Sequence, residues 1–473
     1  MLITSKKYRF QAKTPYEKAA FGVVKRLQVA GFDSYFVGGF ARDIILKRKR
    51  TDIDIATVAT PNEAKKVLQK YKIISRDERF GTLRIIVPSG MIEVTTFRKE
   101  SSYEKRRRPK SVRFIDDAEV DAFRRDFTMN ALFFDPVTCI MLDYVGGIND
   151  VKKKIIRCVG DPKKRFSEDA LRMLRAFRFV AQLKFSIEKK TLLALERSAP
   201  LMESIAKERV RLELEKLLMG RFAARALRAM HDSHLLKYVL PEIFLLSSIP
   251  QNPLYHLEGD VFTHTLLALD QVHSDSDIDL RWAVLFHDVG KASTTKEIIK
   301  NGQRTIVSYR HEVAGADMIP RILGVSGLRC DNKTVAKVQW LVRNHMVMYQ
   351  LQEMRMSKQM AYATHKWFPD LLELDRVDDL GRMTKDRDPL KPYRYGKRLL
   401  LKARKATHHQ SLEVFLKRII TGHDVQKILE IPSGPKVGHV LREVKQLFFQ
   451  GKITTRKQAL ALLKSKKGVL PKT

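Results

Sequence analysis

Cysteine is nearly missing from this chain: Cys139, Cys158 and Cys330 are its only three, scattered and odd in number. That excludes a disulfide scaffold and a four-cysteine zinc site, and it suits a reducing compartment. No run approaches the roughly 20 consecutive apolar residues that a membrane-crossing helix needs. The opening stretch, MLITSKKYRFQAKTPYEKAA, lacks the apolar core of a secretory leader, so a cytoplasmic protein is expected. Neither an internal repeat nor a low-complexity tract is visible. Acidic residues are also scarce beside basic ones, 53 Asp+Glu against 89 Lys+Arg, which gives a formal charge of +36. So large an excess goes beyond what solubility requires and marks a polyanionic partner; nucleic acid is preferred to an anionic membrane.

At 473 residues the chain exceeds a single hydrophobic core, and three or four domains are expected. Residues 1–33 read as a basic arm followed by a helix that Gly31 closes. The most informative stretch comes next, SYFVGGFARDIILKRKRTDIDIAT, from Ser34 to Thr57. Tyr35-Phe36-Val37 reads as a short strand, Gly38-Gly39 as a turn, and Phe40 to Leu46 as a helix bearing Arg42. A glycine pair ahead of a helix lets backbone N–H groups approach a phosphate, and the helix dipole adds positive potential there. The chain returns as a second strand, Thr51 to Thr57. Strand alternation puts Asp52 and Asp54 on one face and turns Ile53 and Ile55 to the core. Paired carboxylates repel each other unless a cation lies between them, and beside a phosphate-binding turn that cation is Mg²⁺. Either half of the pattern is common on surfaces; the combination points to a nucleotide and metal site.

Farther along, a helix is expected to start at Thr60, with strands over 82–87 and 91–97. In the second strand Glu93 faces away from Ile92 and Val94. It is either a third carboxylate for the same metal or an edge-strand residue facing water. Residues 98–113 (RKESSYEKRRRPKSVR) are too polar to pack, and form either a solvated loop or a mobile flap over the site. Arg124, Arg125, Asp126 and Asn130 offer donors for triphosphate oxygens and partners for ribose hydroxyls, unless Arg125 and Asp126 are simply an ion pair. The stretch Arg165 to Arg178 is predicted as one helix, capped by Ser167 with Glu168 and Asp169 in its first turn. Asp169 and Arg172 then share a face, with Arg175 one turn on, as an ordinary surface ion pair or as a recognition pair.

These motifs, in this order, resemble the nucleotidyltransferase superfamily, in the branch that contains tRNA CCA-adding enzymes and bacterial poly(A) polymerases. The resemblance rests on GG-x-x-RD followed by DxD, on EVTTFR, on RRDFTxNAL, on the D-x-x-G-G-x-x-D run from Asp143 to Asp150, and on R-F-x-E-D-x-L-R-x-L-R-A-x-R-F. It implies that Asp52 and Asp54, with Glu93, hold two Mg²⁺ ions. It implies nucleotide binding by Gly38, Gly39, Arg42, Arg124, Arg125, Asp126, Asn130, Glu168, Asp169, Arg172, Arg175 and Arg178. Within that set Asp169 and Arg172 would act as a protein template for the incoming base. Cytosine and adenine both present an amino donor next to a ring-nitrogen acceptor, which a carboxylate and a guanidinium fit. Uracil and guanine put a carbonyl where the donor should be and leave a buried charge unpaired.

A second constellation follows: His264 in FTHTLLALD, His287-Asp288 in LFHDVGKA, His311, His345, and Asp375 or Asp378. A lone histidine in an apolar helix is usually a satisfied core residue, but an adjacent His-Asp pair there needs a shared partner, which a metal supplies. The series resembles the HD phosphohydrolase superfamily, with Asp378 matching its last aspartate better than Asp375. It implies a transition metal (Ni, Mn, Fe or Co) on His264, His287, Asp288 and Asp378, with His311 and His345 available to a second ion. Residues 381–420, basic with interleaved Tyr393 and Tyr395, are either solvated charge or a track for an RNA backbone, and +36 overall favours the track. Gly434-Pro435 opens a helix in a C-terminal segment that resembles that of the CCA-adding enzymes.

The expected fold is an α/β nucleotidyltransferase head with a small mixed sheet, followed by an all-α neck, HD body and tail. The expected divisions are a head over 1–150, a neck with the nucleotide-selection helix over 151–218, a body over 219–395 and a basic, tRNA-binding tail over 396–473. The expected activity is template-independent addition of C, C and A to the 3′ end of tRNA from CTP and ATP with release of pyrophosphate, by a monomer or homodimer and away from any membrane. The rivals are a poly(A) polymerase, a CC- or A-adding enzyme, and an HD-type metal phosphohydrolase whose head merely binds nucleotide.

Overall fold

In the stretch Thr82–Val87 half-buried and fully buried residues alternate one for one, as a strand with one covered face requires. It belongs to an eight-stranded mixed sheet. The computed structural model describes residues 3–49, 52–88, 90–100, 103–104, 108–109, 111–253, 256–383, 388–408, 419–449 and 452–466. They fall into two units, residues 1–244 and 245–473.

The sheet belongs to the first unit. Its strands are β1 (Thr4–Lys7), β2 (Ser34–Val37), β3 (Asp54–Thr57), β4 (Lys72–Asp77), β5 (Thr82–Val87) and β6 (Gly90–Thr96). A ribbon of short strands comes next: β7 (Arg98–Glu100), β8 (Tyr103–Glu104), β9 (Arg108–Pro109) and β10 (Val112–Phe114). The sheet is completed by β11 (Leu132–Asp135) and β12 (Ile140–Asp143). Its order is β1-β12-β11-β2-β3-β6-β5-β4, antiparallel throughout except where β3 meets β6. The supposed basic arm thus contributes an edge strand; all four residues of β1 are exposed, so no alternation betrayed it. Because β6 lies between β3 and β5, Glu93 is not on an edge strand. The polar stretch after β6 is not simply a loop, since β7 pairs with β10 and β8 with β9.

Local chemistry sets the helix ends. In α1 (Pro15–Val29) Thr14 and Glu17 form a capping box with Pro15 at the first position, and Gly31 follows the end of the helix at φ +87°. The helix α2 (Gly39–Leu46) starts from Gly38 at φ +67°, a conformation that favours glycine. A second capping box, Thr60 with Glu63, opens α3 (Pro61–Val67). The helical part of this unit contains α4 (Ala118–Phe123), α5 (Gly147–Lys153), α6 (Pro162–Glu168), α7 (Leu171–Leu183), α8 (Lys189–Ser198), α9 (Lys207–Leu218) and α10 (Ala223–Asp232), then α11 (Leu235–Val239) and α12 (Pro241–Leu245).

The single helix expected over 165–178 is in fact two. Asp161 caps α6, while Ser167 lies in its last turn and donates to the Lys164 carbonyl at 2.8 Å. The break falls at Asp169, which is extended (φ −147°, ψ 101°) and accepts the Leu171 N–H at 3.2 Å. A short acidic side chain that bonds its own backbone competes with helix continuation in this way. The neck is also not purely helical, for β13 (Ile155–Ile156) pairs in parallel with β14 (Ser186–Ile187).

The second unit is helical with one hairpin. It runs through α13 (Val261–Asp270), α14 (Ile278–Phe286) and α15 (Lys291–Thr294) to β15 (Thr295–Lys300) and β16 (Gln303–Ser308). Asn301 and Gly302, at φ +51° and +73°, make the two-residue turn between those strands. Then come α16 (His311–Leu323), α17 (Asn332–Asn344), α18 (Val347–Leu351), α19 (Met356–Ala363), α20 (Phe368–Gly381) and α21 (Lys391–His408). Three further helices, Gly422–Leu429, Pro435–Phe449 and Arg456–Lys466, enclose their own apolar cluster around Val425, Val444 and Leu463. Among the described residues no helix is long and apolar enough to cross a membrane.

The Asp143–Asp150 run knots the head to the helices that follow. Asp143 accepts the N–H groups of Val145, Gly147 and Ile148 at 3.1, 2.9 and 2.8 Å, while Asp150 accepts the Thr128 hydroxyl at 2.7 Å. A Cβ at Gly147 would sit 2.2 Å from the Thr128 carbonyl oxygen. Gly147→Ala is therefore expected to cost at least about 2 kcal/mol, read as a lower unfolding midpoint. Gly438→Ala, whose Cβ would meet nothing within 4 Å, should leave the midpoint unchanged or slightly higher.

Candidate functional site

One cavity of about 960 Å³ in the first unit gathers most of the residues singled out in the head and neck. Gly38 and Gly39 lie at its lining, and a Cβ on Gly38 would stand 3.5 Å from Asp54 Oδ2. The turn therefore abuts the carboxylate. Ile53 and Ile55 are buried while Asp52 and Asp54 meet solvent in the cavity, as the alternation required, although the strand itself begins only at Asp54. Arg42 reaches from α2 to donate to Asn130 Oδ1 at 2.9 Å. Burial and the adjacent Glu93 push the Asp54 carboxyl up to about 6, against the pull of Arg125.

Glu93 stands directly opposite Asp54 in the β3–β6 ladder, but its carboxylate takes the Arg84 Nε–H at 2.9 Å and does not line the cavity. Among the described residues, the head has no group of three or more acidic, histidine or cysteine ligand atoms within 4.8 Å of one another.

Most guanidiniums of the cavity wall are tied to a carboxylate. Arg125 does not pair with Asp126. Instead Asp121, fully buried, accepts from Arg124 Nε at 2.8 Å and from Arg125 Nη2 at 3.0 Å. Asp126 accepts from Arg175 Nε at 2.8 Å. Arg172 donates to Glu168 at 2.7 Å and to the Arg165 carbonyl at 3.0 Å. Asp169 accepts from Arg209 at 2.9 Å, and Arg178 Nε lies 3.1 Å from Glu213. Asp169 and Arg172 thus each have another partner, which counts against the alternative of an ordinary i, i+3 ion pair between them. Sequence reasoning missed Asp121, Arg209 and Glu213. Asp121 had a usable signal, since it precedes Arg124 and Arg125 by three and four residues; Arg209 had none. Arg98 and Glu100 also line the cavity, while residues 101–102, 105–107 and 110 of the flap proposed over it lie outside the described residues.

The second unit has a separate buried cluster. His264 Nε2 lies 2.9 Å from Asp378 Oδ1 and 3.3 Å from His287 Nε2. Asp288 reaches His287 through Oδ2 at 3.3 Å and His311 through Oδ1 at 3.2 Å, and His311 Nε2 is 3.1 Å from His345 Nε2. The Nδ1 atoms of His287, His311 and His345 each face a backbone carbonyl three residues earlier, at 2.8, 2.8 and 2.7 Å. A carbonyl only accepts, so Nδ1 carries the proton and the Nε2 lone pairs turn inward. Burial, with His311 and His287 close by, pushes His345 down to about 3, so its ring is neutral. Burial opposes charge on Asp288 and Asp378, yet Lys291 beside the one and Arg382 beside the other, together with the adjoining histidines, outweigh it and hold both carboxyls well below the usual range. Asp378, not Asp375, joins the cluster. Glu258 and His256, which sequence reasoning missed, adjoin it: Glu258 Oε1 is 3.0 Å from His264 Nδ1 and 2.7 Å from His256 Nδ1. In α21 the hydroxyls of Tyr393 and Tyr395 are engaged by Glu373 and Gln359 at 3.0 and 2.5 Å, so these rings tie helices together.

Comparison with known proteins matches three segments of the chain. Residues 34–157 match a Poly A polymerase head domain, residues 184–246 a probable RNA and SrmB-binding site of polymerase A, and residues 261–384 an HD domain. In the kind and order of these three domains the chain is similar to the tRNA nucleotidyltransferase and poly(A) polymerase family. A CCA-adding enzyme of Geobacillus sp. (strain WCH70) is 46% identical over 228 residues, 48% of this chain and 55% of that protein. In such matches the aligned chain spans about half the length of the curated relative. A CCA-adding enzyme of Streptococcus mutans is 28% identical over 441 residues, 93% of this chain and 95% of its own. Among solved structures, the Bacillus stearothermophilus CCA-adding enzyme in complex with CTP superposes with a TM-score of 0.68 at 26% identity, covering 96% of this chain and 98% of that one. The family's head and helical architecture is the one described above, and the body carries the HD domain with its candidate metal-binding groups.

Asp121 yields a test of the cavity wall. Burial opposes its charge, but Arg124 and Arg125 prevail and hold its carboxyl below the ordinary value. Stability from a depressed carboxyl is fully present above the unfolded value near 4 and is lost as pH falls through the lower folded one. Asp121→Asn should cost roughly 3 kcal/mol at pH 7. Its deficit relative to the parent should shrink on acidification below about pH 4. A deficit that does not change with pH would rule out Asp121 as the charge partner.

Proposed function

We propose that this protein adds C, C and A stepwise to the 3′ end of tRNA, taking nucleotides from CTP and ATP and releasing pyrophosphate. One observation carries the proposal: a single cavity contains the Gly38-Gly39 turn, the Asp52 and Asp54 carboxylates, Arg124, Arg125, and the Asp169 and Arg172 side chains. In this proposal Asp52 and Asp54 are the catalytic carboxylates and hold Mg²⁺, with Glu93 beside them. Their fit to a cation is physical. An oxygen-only donor set suits Mg²⁺, and a carboxyl raised to about 6 among other acids gains most from a positive neighbour. Bound there, Mg²⁺ would lower the pKa of the RNA 3′-hydroxyl and balance charge on the departing pyrophosphate.

The chain's own groups do the rest. Gly38 and Gly39 let the backbone approach the triphosphate, and Arg42, Arg124, Arg125, Arg175 and Arg178 orient it. Asp126 and Asn130 address the ribose. Asp169 accepts an amino hydrogen of cytosine or adenine and Arg172 donates to the adjacent ring nitrogen, with Glu168 supporting Arg172. No covalent intermediate is required. The divisions at 150, 218 and 395, and a cytoplasmic location, complete the proposal, and +36 suits a tRNA partner.

Asp52→Ala and Asp54→Ala should each reduce nucleotide transfer by far more than about tenfold, or 1.4 kcal/mol, while tRNA binding and the unfolding midpoint hold. Product ends from tRNA lacking its 3′ terminus, sequenced after incubation with each NTP, report the addition directly. Since Asp54 must lose its proton to bind a cation, apparent Mg²⁺ affinity should weaken as pH falls through about 6. Activity that persists in either variant would remove the metal role.

A second activity is favoured by the converging Nε2 atoms in the HD domain. His264, His287, Asp288 and Asp378 would hold a transition metal, Ni, Mn, Fe or Co, and His311 and His345 a second ion, because imidazole donors prefer such ions to Mg²⁺. Metal analysis of the purified protein should find a transition ion. The double variant His287→Ala/Asp288→Ala should lose it, together with any hydrolysis of small nucleotides such as 2′,3′-cyclic AMP, while nucleotide addition to tRNA persists. No bound ion and no hydrolysis under any metal would leave these histidines a purely structural role.

A further inference from the structure

The helix-face geometry of Asp169 and Arg172 raises a physical difficulty. A carboxylate and a guanidinium three residues apart on a helix pair with each other. A self-paired template would offer its acceptor and donor inward rather than to a base. Two features divert the pair. The chain breaks at Asp169, so that residue is extended rather than helical. Each group is also engaged by a different partner: Arg172 by Glu168 and the Arg165 carbonyl, Asp169 by Arg209.

Arg209 stands forty residues downstream, in the first turn of α9. Its Nη2 donates to Asp169 Oδ2 at 2.9 Å, while Oδ1 accepts the Leu171 N–H at 3.2 Å. Both oxygens are thus fixed, and since a carboxylate has about four lone-pair sites, room remains for an amino hydrogen. The pair lines the cavity and is shielded there, with the two side chains 21% and 17% exposed. Four residues along the same helix, Glu213 meets Arg178 at 3.1 Å, so α9 holds α7 and its N-terminal junction at two points of opposite charge.

We propose that Arg209 is a positioning residue for base selection: its ion pair with Asp169 fixes the carboxylate that reads the incoming base and keeps it from collapsing onto Arg172. The proposal rests on the template role of Asp169 and Arg172 stated above.

The test measures kcat/KM for CTP and UTP on tRNA lacking its 3′ end, in the full chain with Mg²⁺. The parent is compared with Arg209→Gln, Arg209→Lys, Asp169→Ala and the double variant Asp169→Ala/Arg209→Gln. Arg209→Gln should lower the CTP:UTP ratio by about tenfold or more, mostly through the nucleotide KM, with tRNA affinity and unfolding midpoint near the parent's. Arg209→Lys, which keeps charge but loses the planar fork, should recover part of the ratio. The double variant should discriminate no worse than Asp169→Ala alone, because both changes act through one group. A parental ratio in Arg209→Gln, while Asp169→Ala loses its own, overturns the role of Arg209 and leaves the template standing. Additive losses in the double variant overturn it as well. A parental ratio in Asp169→Ala overturns the template, and the inference with it. Should Arg209→Gln fail to fold, the Arg209→Lys ratio decides: discrimination equal to the parent's counts against the proposal, and a partial loss supports it.

Discussion

Guanidiniums crowded into one cavity repel, and the head and neck depend on how that repulsion is contained. Arg124 and Arg125 share Asp121; Arg175 has Asp126, Arg172 has Glu168, Arg178 has Glu213 and Arg209 has Asp169. These pairs are not surface ornaments. Asp121 is fully buried, and the guanidinium side chains facing it are 17% and 14% exposed, so removing one partner would leave a charge with little water to replace it. The result is a positive wall whose geometry is set before any polyanion enters. Fixed charges of this kind stabilise an incoming triphosphate without paying for side-chain reorganisation at the moment of reaction. The same constraint explains the order of the chain. Partners come from β7, α4, α6, α7 and α9, so the cavity exists only once the sheet and the helices after it have docked.

What could be read from sequence was whatever local physics decides. The capping boxes at Thr14 and Thr60, the Gly38-Gly39 turn and the alternation of Ile53 and Ile55 with Asp52 and Asp54 all depend on neighbours within a few residues. The edge strand β1 was not legible because its residues are exposed on both faces and only pairing with β12 defines it. The hairpin at Asn301-Gly302 does carry a signal, an Asn-Gly pair between β-branched runs, inside a body whose other patterns are helical. The helix break at Asp169 was hidden for a different reason. Helical periodicity continues through it, and the competing backbone bond to Leu171 is invisible in a pattern of apolar spacing.

Spacing misled wherever a charged side chain had several possible partners. Arg125 sits next to Asp126, yet pairs with Asp121, one helical turn away; Arg172 sits three residues from Asp169, yet pairs with Glu168. Adjacent residues point in divergent directions on a helix or turn, whereas residues three and four apart face each other, and an exit from the helix at Asp169 removes it from that geometry altogether. Partners across tertiary contacts, Arg209 and Glu213 above all, have no sequence-local trace.

The HD cluster was legible in its ligand types but not in its protonation, and the reason lies in helix ends. His287 and His345 are the C-terminal caps of α14 and α17, where the last carbonyls lack intrahelical donors. Each ring supplies the missing donor through Nδ1, to Val284 and to Val342, and that bond fixes which nitrogen keeps the proton. His311 does the same toward Ser308 from the start of α16. Three Nε2 lone pairs are thereby aimed at Asp288 and at one another by the ordinary demand of a helix end or turn for a hydrogen-bond donor. His264 lies inside α13, and there it is the Glu258 carboxylate, 3.0 Å away, that faces its Nδ1. A mid-helix ligand needs an external acid to set its tautomer, whereas a helix-end ligand gets its tautomer from the backbone.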